Sequence, residues 1–271
     1  MDVKLPVAGL VAEAWGLALR AALPSLPWLA GLMVLAGLYR LGLGVDAGAM
    51  INMFLLVAVF AAGVAFSLRA YRSMLGTAPG SFLQLAHANL AIYMAFLFVG
   101  VFIGFFLAIL PGILLEASGR TDLDAKTDPA VVQAAFMDML PTAYGAVFVV
   151  ACAFGIWALC FFAVRLLLVG AATASRGETM VFRTWPWTKG HAFRLSIAAF
   201  ATHVGPFFAA IAVNAVLAPT LGTSPAGLFI GGALGVLLLA PFLLAGHGLA
   251  VSALPRLAPA TPETPAIAPV T

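Results

Sequence analysis

The 271-residue chain is 63% hydrophobic and only 8% charged, with a formal net charge of +3. A soluble domain carries about 25% charged residues, so water alone cannot solvate this surface and lipid must cover it. Thirteen Lys and Arg side chains set among long apolar runs also weigh against a nucleic-acid partner.

Apolar runs of about 20 residues are long enough to cross a bilayer as helices. They lack strict alternation and are too long for barrel strands of roughly 10 residues. Helices also bond all of their own backbone groups, which lipid requires. The expected fold is therefore an all-α integral membrane protein: six transmembrane helices with short amphipathic interfacial helices. Residues 1–254 should form a single helical membrane domain.

The first 20 residues contain Asp2, Lys4, Glu13 and Arg20, without an uninterrupted apolar core or a small-residue cleavage site. They do not read as a secretory signal. Over residues 5–21, Gly9, Glu13, Gly16 and Arg20 share one helical face and apolar residues fill the rest. This pattern predicts an interfacial helix anchored by Trp15, ended by Pro24 and Pro27. Spans are predicted over about 28–44, 49–68, 90–110, 144–164, 196–217 and 228–249. Two further interfacial pieces are predicted at 80–89 and 128–140, the second with Asp128 as N-cap and Pro129 at the first helical position. The segment 255–271, mostly Pro, Ala and Thr, should be a disordered tail.

Cys152 and Cys160 fall in one predicted helix, about 12 Å apart along its axis. A disulfide needs Cα atoms within about 7 Å, so they read as small buried residues. Gly100, Gly104, Ala108 and Gly112 recur every four residues, as do Gly227, Gly231 and Gly235. Such stripes let helices approach closely in lipid; contact within the chain is favoured here over dimerisation.

Lys4, Arg20, Arg69, Arg72, Arg176, Arg183, Lys189, Arg194 and Arg256 fall on the side of the N-terminus; Arg40, Arg120 and Lys126 fall on the other. Nine against three predicts that both termini are cytoplasmic. Arg165, at the inner edge of the fourth span, belongs to neither count. The acids Asp46, Glu116, Asp122, Asp124, Asp128 and Asp138 face outward.

The densest polar stretch runs from Arg165 to Arg194. It contains Arg165, Arg176, Arg183, Lys189, His191 and Arg194, together with Trp185 and Trp187. An Arg ends the fourth span; a small-residue stretch follows, then an R-x-W-x-x-T-x-G segment and the fifth span. This layout resembles the membrane domain found beside some bacterial glycerophosphodiester phosphodiesterases, and its stand-alone relatives without a firmly assigned activity. The matching positions are Arg165, Arg183, Trp185, Trp187, Thr188, Lys189 and Gly190. The resemblance covers most of residues 5–254 in layout and rests on that one motif. It implies a six-helix bundle in the plasma membrane. It does not imply phosphodiesterase activity, because the catalytic barrel of those proteins is a separate soluble domain.

Catalysis needs ionisable groups that converge, and no Asp or Glu lies well inside a predicted span. No HExxH, zinc-type Cys pair or P-loop is present. The loop from Asp122 to Asp128 has Thr127 and Gln133 where a calcium loop needs Gly and Glu, so it reads as a solvated acidic loop. No metal or cofactor is expected, and the chain reads as non-enzymatic.

His203, His247 and Arg165 are predicted in the inner half of the bundle, with Pro206 and Pro241 at similar depth. Two proline kinks could open a basic pocket there for a phosphate-bearing headgroup. The favoured plainer account has Arg165 snorkelling to the interface, the His residues bonding to neighbouring helices, and the prolines only bending. For Arg183–Arg194, a plain aromatic belt with a topology signal is weighed slightly above recognition of lipid or a partner.

The candidate lipid- or anion-binding residues are thus Arg165, Arg183, Trp185, Trp187, Lys189, His191, Arg194, His203 and His247. The expected role is recognition of anionic lipid or a membrane partner, a second copy of the chain included, in a bacterial cytoplasmic membrane. The alternative is a carrier of a phosphate-bearing lipid or small anion.

Overall fold

The computed structural model describes residues 5–123 and 126–259. The elements are α1 (Val7–Gly44), α2 (Ala49–Leu75), α3 (Phe82–Ala117), α4 (Pro129–Met139), α5 (Ala143–Leu166), α6 (Val169–Arg176), a 3-10 segment (Phe182–Thr188), α7 (Ala192–Ala199), a π-helical turn (Phe200–Val204), α8 (Gly205–Leu221) and α9 (Pro225–Leu257). No strand occurs among the described residues. Six helical stretches are long and apolar enough to cross a membrane: Val7–Gly44, Ala49–Leu75, Phe82–Ala117, Ala143–Arg176, Ala192–Leu221 and Pro225–Leu257. The all-α multi-pass architecture expected from composition is what the chain adopts.

The chain divides into two compact units. One comprises Met1–Asn89 and Arg165–Thr271, and the other Leu90–Val164.

In the first unit, the break expected at Pro24 and Pro27 does not form: α1 runs through both prolines for 38 residues, about 57 Å. The physical reason is burial. Ala14, Ala18, Ala21, Ser25, Leu29 and Leu32 form one buried stripe that passes both prolines at helical spacing. Pro27 lies on the exposed side.

The piece expected at 80–89 is likewise no separate element but the first turns of α3. Ser81 and Gln84 close a reciprocal capping box: Ser81 N donates to Gln84 Oε1 at 2.8 Å and Gln84 N donates to Ser81 Oγ at 3.2 Å. No breaker separates this start from the apolar run. At the other terminus α9 passes through Pro255 to Leu257. The rest of the expected tail, 260–271, lies outside the described residues, as do Lys4 and Asp124.

α1 and α9 form the most extensive helix pair. They run antiparallel, with Gly248 against Ala14, Gly232 against Ala36 and Gly37, and Gly44 against Leu228. Part of the expected glycine seam is therefore real: Gly231 is buried, with its Cβ position 3.3 Å from Arg40 Cζ of α1. The approaches to α1 backbone fall at Gly232 and Gly248, outside the expected stripe, whereas a Cβ at Gly235 would meet nothing within 4 Å. A core of Leu17, Leu68, Tyr71, Leu85, Met180 and Ala250 lies beside a second one built from Ala18, Leu29, Phe66, Ala240 and Leu244.

In the second unit, Leu110, Leu114 and Leu115 of α3 pack on Ala135 and Met139 of α4. Asp128 caps α4 as expected, its Oδ1 accepting from Ala130 N at 2.8 Å, with Pro129 opening the helix. The α3 stripe is not used inside this unit, where Gly100, Gly104 and Gly112 have open space in place of a Cβ neighbour. Cys152 and Cys160 are both free thiols; Cys160 is exposed rather than buried.

Candidate functional site: an aromatic-basic platform

The stretch after Arg165 is not a surface loop. All of α6 from Val169 to Ala174 is buried, because its Gly and Ala side chains let neighbours come close. Gly170 lies against the Tyr71 hydroxyl, and a Cβ on Gly80 would fall 2.7 Å from Ala174 Cα. Gly80 N donates to Ala174 O at 2.9 Å. Gln84 Nε2 donates to the carbonyl of Gly177, which ends α6 in a left-handed conformation (φ 67°). A Gly at this position is the ordinary way to stop a helix and redirect the chain.

From there three fully buried threonines shape the 3-10 segment. Thr173 Oγ1 accepts from Met180 N at 3.2 Å, Thr184 Oγ1 donates to Val181 O at 3.2 Å, and Thr188 Oγ1 donates to Trp185 O at 3.1 Å. Buried hydroxyls are costly unless bonded, and each of these is bonded to local backbone.

This scaffold turns both indoles under guanidinium groups. Arg165 Cζ sits 4.7 Å from the Trp185 ring centroid, and Arg176 Cζ sits 4.5 Å from that of Trp187. Such pairs contribute about 0.5–2 kcal/mol each, more when desolvated, and Arg165 is 7% exposed. Arg176 Nη2 also donates to Pro259 O at 2.9 Å, and Arg194 Nη1 to Leu5 O at 3.3 Å. Arg256 pairs with Glu13 at 2.8 Å. Both described ends of the chain are therefore tied to the same end of this unit, where Arg165, Arg176, Arg194 and Arg256 gather.

The remaining cations point outward. Arg183 forms a solvent-exposed ion pair with Glu178 at 2.8 Å, of the kind worth little. Lys189 is exposed, and no described carboxylate pairs with it. His191 is half-buried at the start of α7. Phe182 (59% exposed) and Phe193 (78%) flank these positions. Sequence reasoning missed them as site residues, although each is the immediate neighbour of an Arg.

The other two candidate histidines, His203 and His247, lie apart from the platform's indoles in what they touch. His247 stacks on Tyr71, with ring centroids 4.5 Å apart, and its Nε2 pairs with Ser67 Oγ at 2.9 Å. His203 sits in the π-helical turn, its Nδ1 2.9 Å from Thr202 Oγ1 and its ring edge-on to Phe242 at 5.7 Å. A Cβ on Gly246 would lie 3.6 Å from His203 Nδ1, so the two histidines are near neighbours across α9. A groove of about 540 Å³ does lie at Pro241, but its walls are apolar side chains such as Trp15, Leu19, Phe66 and Leu237, and neither histidine nor Arg165 lines it.

No protein-family model matches the chain, and no curated protein or solved structure is significantly similar to it. What the fold and the site define together is a class: a multi-pass, all-α membrane protein whose first unit brings Arg165, Arg176, Arg194 and Arg256 and both described termini to one end, with Arg40 near the other end of α1.

Proposed function

We propose that the chain is a non-enzymatic membrane protein that recognises anionic lipid headgroups through the platform of residues 165–194, at the cytoplasmic face of a bacterial inner membrane. The observation that carries this is the division of labour among its cations. Arg165 and Arg176 are spent on holding Trp185 and Trp187 in place. This leaves Lys189 exposed without a described carboxylate partner and Arg183 exposed in its surface pair with Glu178, in a stretch bounded by the exposed rings of Phe182 and Phe193. Aromatic rings at headgroup depth and cations beside them are the two contacts an anionic surface offers, at about 1 kcal/mol per basic residue. The excess of Lys and Arg at this end supports a cytoplasmic placement for it and for both termini. The layout resembling the phosphodiesterase-associated membrane domain supports the plasma-membrane placement alone.

Reconstitution into nanodiscs containing equal phosphatidylglycerol and phosphatidylcholine tests it. The wild type should enrich phosphatidylglycerol in its annulus, and Arg183→Gln with Lys189→Gln should abolish most of that enrichment. Equal enrichment by both proteins would end the proposal.

A carrier function rests on a different observation, the π-helical turn that places His203 beside α9 and His247. Single-turn π segments interrupt the regular ladder and recur at functional sites. Flux of a phosphate-bearing lipid in proteoliposomes, lost on His203→Ala, would support it; wild-type flux in that variant would contradict it.

A further inference from the structure

A second cationic site uses none of the platform's cations. Between α1 and the end of α2 a groove of about 450 Å³ is walled by Pro24, Trp28, Leu68 and Phe82, with Arg69 and Arg72 at one end. We propose that this groove holds one anionic phospholipid, its phosphate between the two guanidiniums and an acyl chain along the apolar wall.

Three observations carry it. Arg69 and Arg72 are one helical turn apart and so share a face of α2. Each is oriented by a single backbone carbonyl: Arg69 Nε donates to Pro24 O at 3.3 Å, and Arg72 Nη2 to Gly80 O at 3.2 Å. A guanidinium has five N–H donors, and among the described residues no carboxylate pairs with either fork. Two anchored guanidiniums with donors to spare suit the several oxygens of a phosphate.

Depth selects a lipid over a free phosphate. Residues 49–68 contain no charged side chain; as a helix they span about 30 Å, the thickness of the hydrocarbon core. Arg69 and Arg72 therefore begin where headgroup phosphates lie. α1 and α2 are antiparallel, since Pro24 meets Arg69 and Gly42 meets Asn52. Trp28 and Ala65 consequently lie one turn deeper than the arginines. Trp28 is 49% exposed and Phe82 42% exposed. The groove thus passes from two cations at the membrane boundary into an apolar trough, the order in which a phospholipid presents its own parts.

The test is a native mass spectrometry titration of the full chain with short-chain phosphatidylglycerol, and in parallel with glycerol phosphate, which carries the headgroup chemistry alone. One phosphatidylglycerol should bind, with Arg69→Gln plus Arg72→Gln weakening it roughly 30-fold. Ala65→Trp, which fills the trough and leaves both cations, should weaken it as well. Arg183→Gln with Lys189→Gln should leave this binding unchanged, which separates the groove from the platform. Wild-type affinity in the double Arg variant or in Ala65→Trp would overturn the proposal. Glycerol phosphate binding as tightly as the lipid would overturn the lipid assignment, and loss of binding only in the Arg183 and Lys189 variant would transfer the site to the platform.

Discussion

The crossing of α1 and α9 makes a quantitative prediction at Gly248. A Cβ added there would stand 3.0 Å from the Ala14 carbonyl carbon and 3.2 Å from its Cα, with the Ala14 oxygen nearer still. Carbon atoms prefer about 3.5–4.0 Å, and the obstacle is backbone, so no side chain can swing aside. Ala14 is fully buried, and α1 must therefore retreat by up to about 1 Å, a gap that forfeits a quarter to a half of each affected contact. Overpacking of this kind costs about 1–3 kcal/mol. Gly235 lies on the same helix with nothing within 4 Å of its Cβ position, and Gly235→Ala makes the same chemical change with the same gain in helix propensity, up to about 1 kcal/mol. Equilibrium unfolding in mixed detergent micelles should place Gly248→Ala about 1–3 kcal/mol below Gly235→Ala. Equal stabilities would refute the close crossing and, with it, the pairing of α1 with α9.

Further expectations concern the platform and the loops. A double-mutant cycle on Arg176→Gln and Trp187→Leu should return a coupling of about 1 kcal/mol, read by thermal unfolding; additive effects would mean that the stacked geometry carries no energy. Ser81→Ala removes half of the capping box at the start of α3 and should lower stability by about 0.5–2 kcal/mol in the same assay. Asp122 bonds Arg120 at 3.0 Å; that hydrogen bond first, then a bond to its own backbone amide, holds its carboxyl below the ordinary 3.8. Its folded value being depressed, the pair contributes above the ordinary carboxylate range and its contribution is lost as pH falls through the lowered value. An NMR titration of the side-chain carboxyl should find that midpoint below 3.8, moving up on Arg120→Gln.

How much of this was legible in the sequence depends on range. Six spans could be read because uncharged runs of about 20 residues have few alternatives in lipid. Helix ends were less legible. Pro24 and Pro27 are strong local stop signals, yet the stripe Ala21–Ser25–Leu29 buries the opposite face, and packing outweighs two missing bonds. The capping box at Ser81 and Gln84 was readable in principle, as an S-x-x-Q ahead of an apolar run. At the site, the clustering of Arg165 to Arg194 was visible, but the pairing of Arg165 with Trp185 and Arg176 with Trp187 was not. Those pairs join residues 20 and 11 positions apart, and no periodicity encodes them. The two indoles drew attention as headgroup anchors, while the more exposed rings are Phe182 and Phe193. The Arg69–Arg72 groove is not legible in the sequence because its wall crosses the break that Pro24 and Pro27 predict, which puts Trp28 in a separate helix from Pro24.

The central claim is that Arg183 and Lys189 bring anionic lipid to this end of the protein. It is tested most directly by native mass spectrometry of the chain extracted gently from its own membrane, wild type beside the variant with Gln at both positions. Co-purifying anionic lipid should fall several-fold in the variant while the zwitterionic fraction stays level; an unchanged lipid profile would contradict the account.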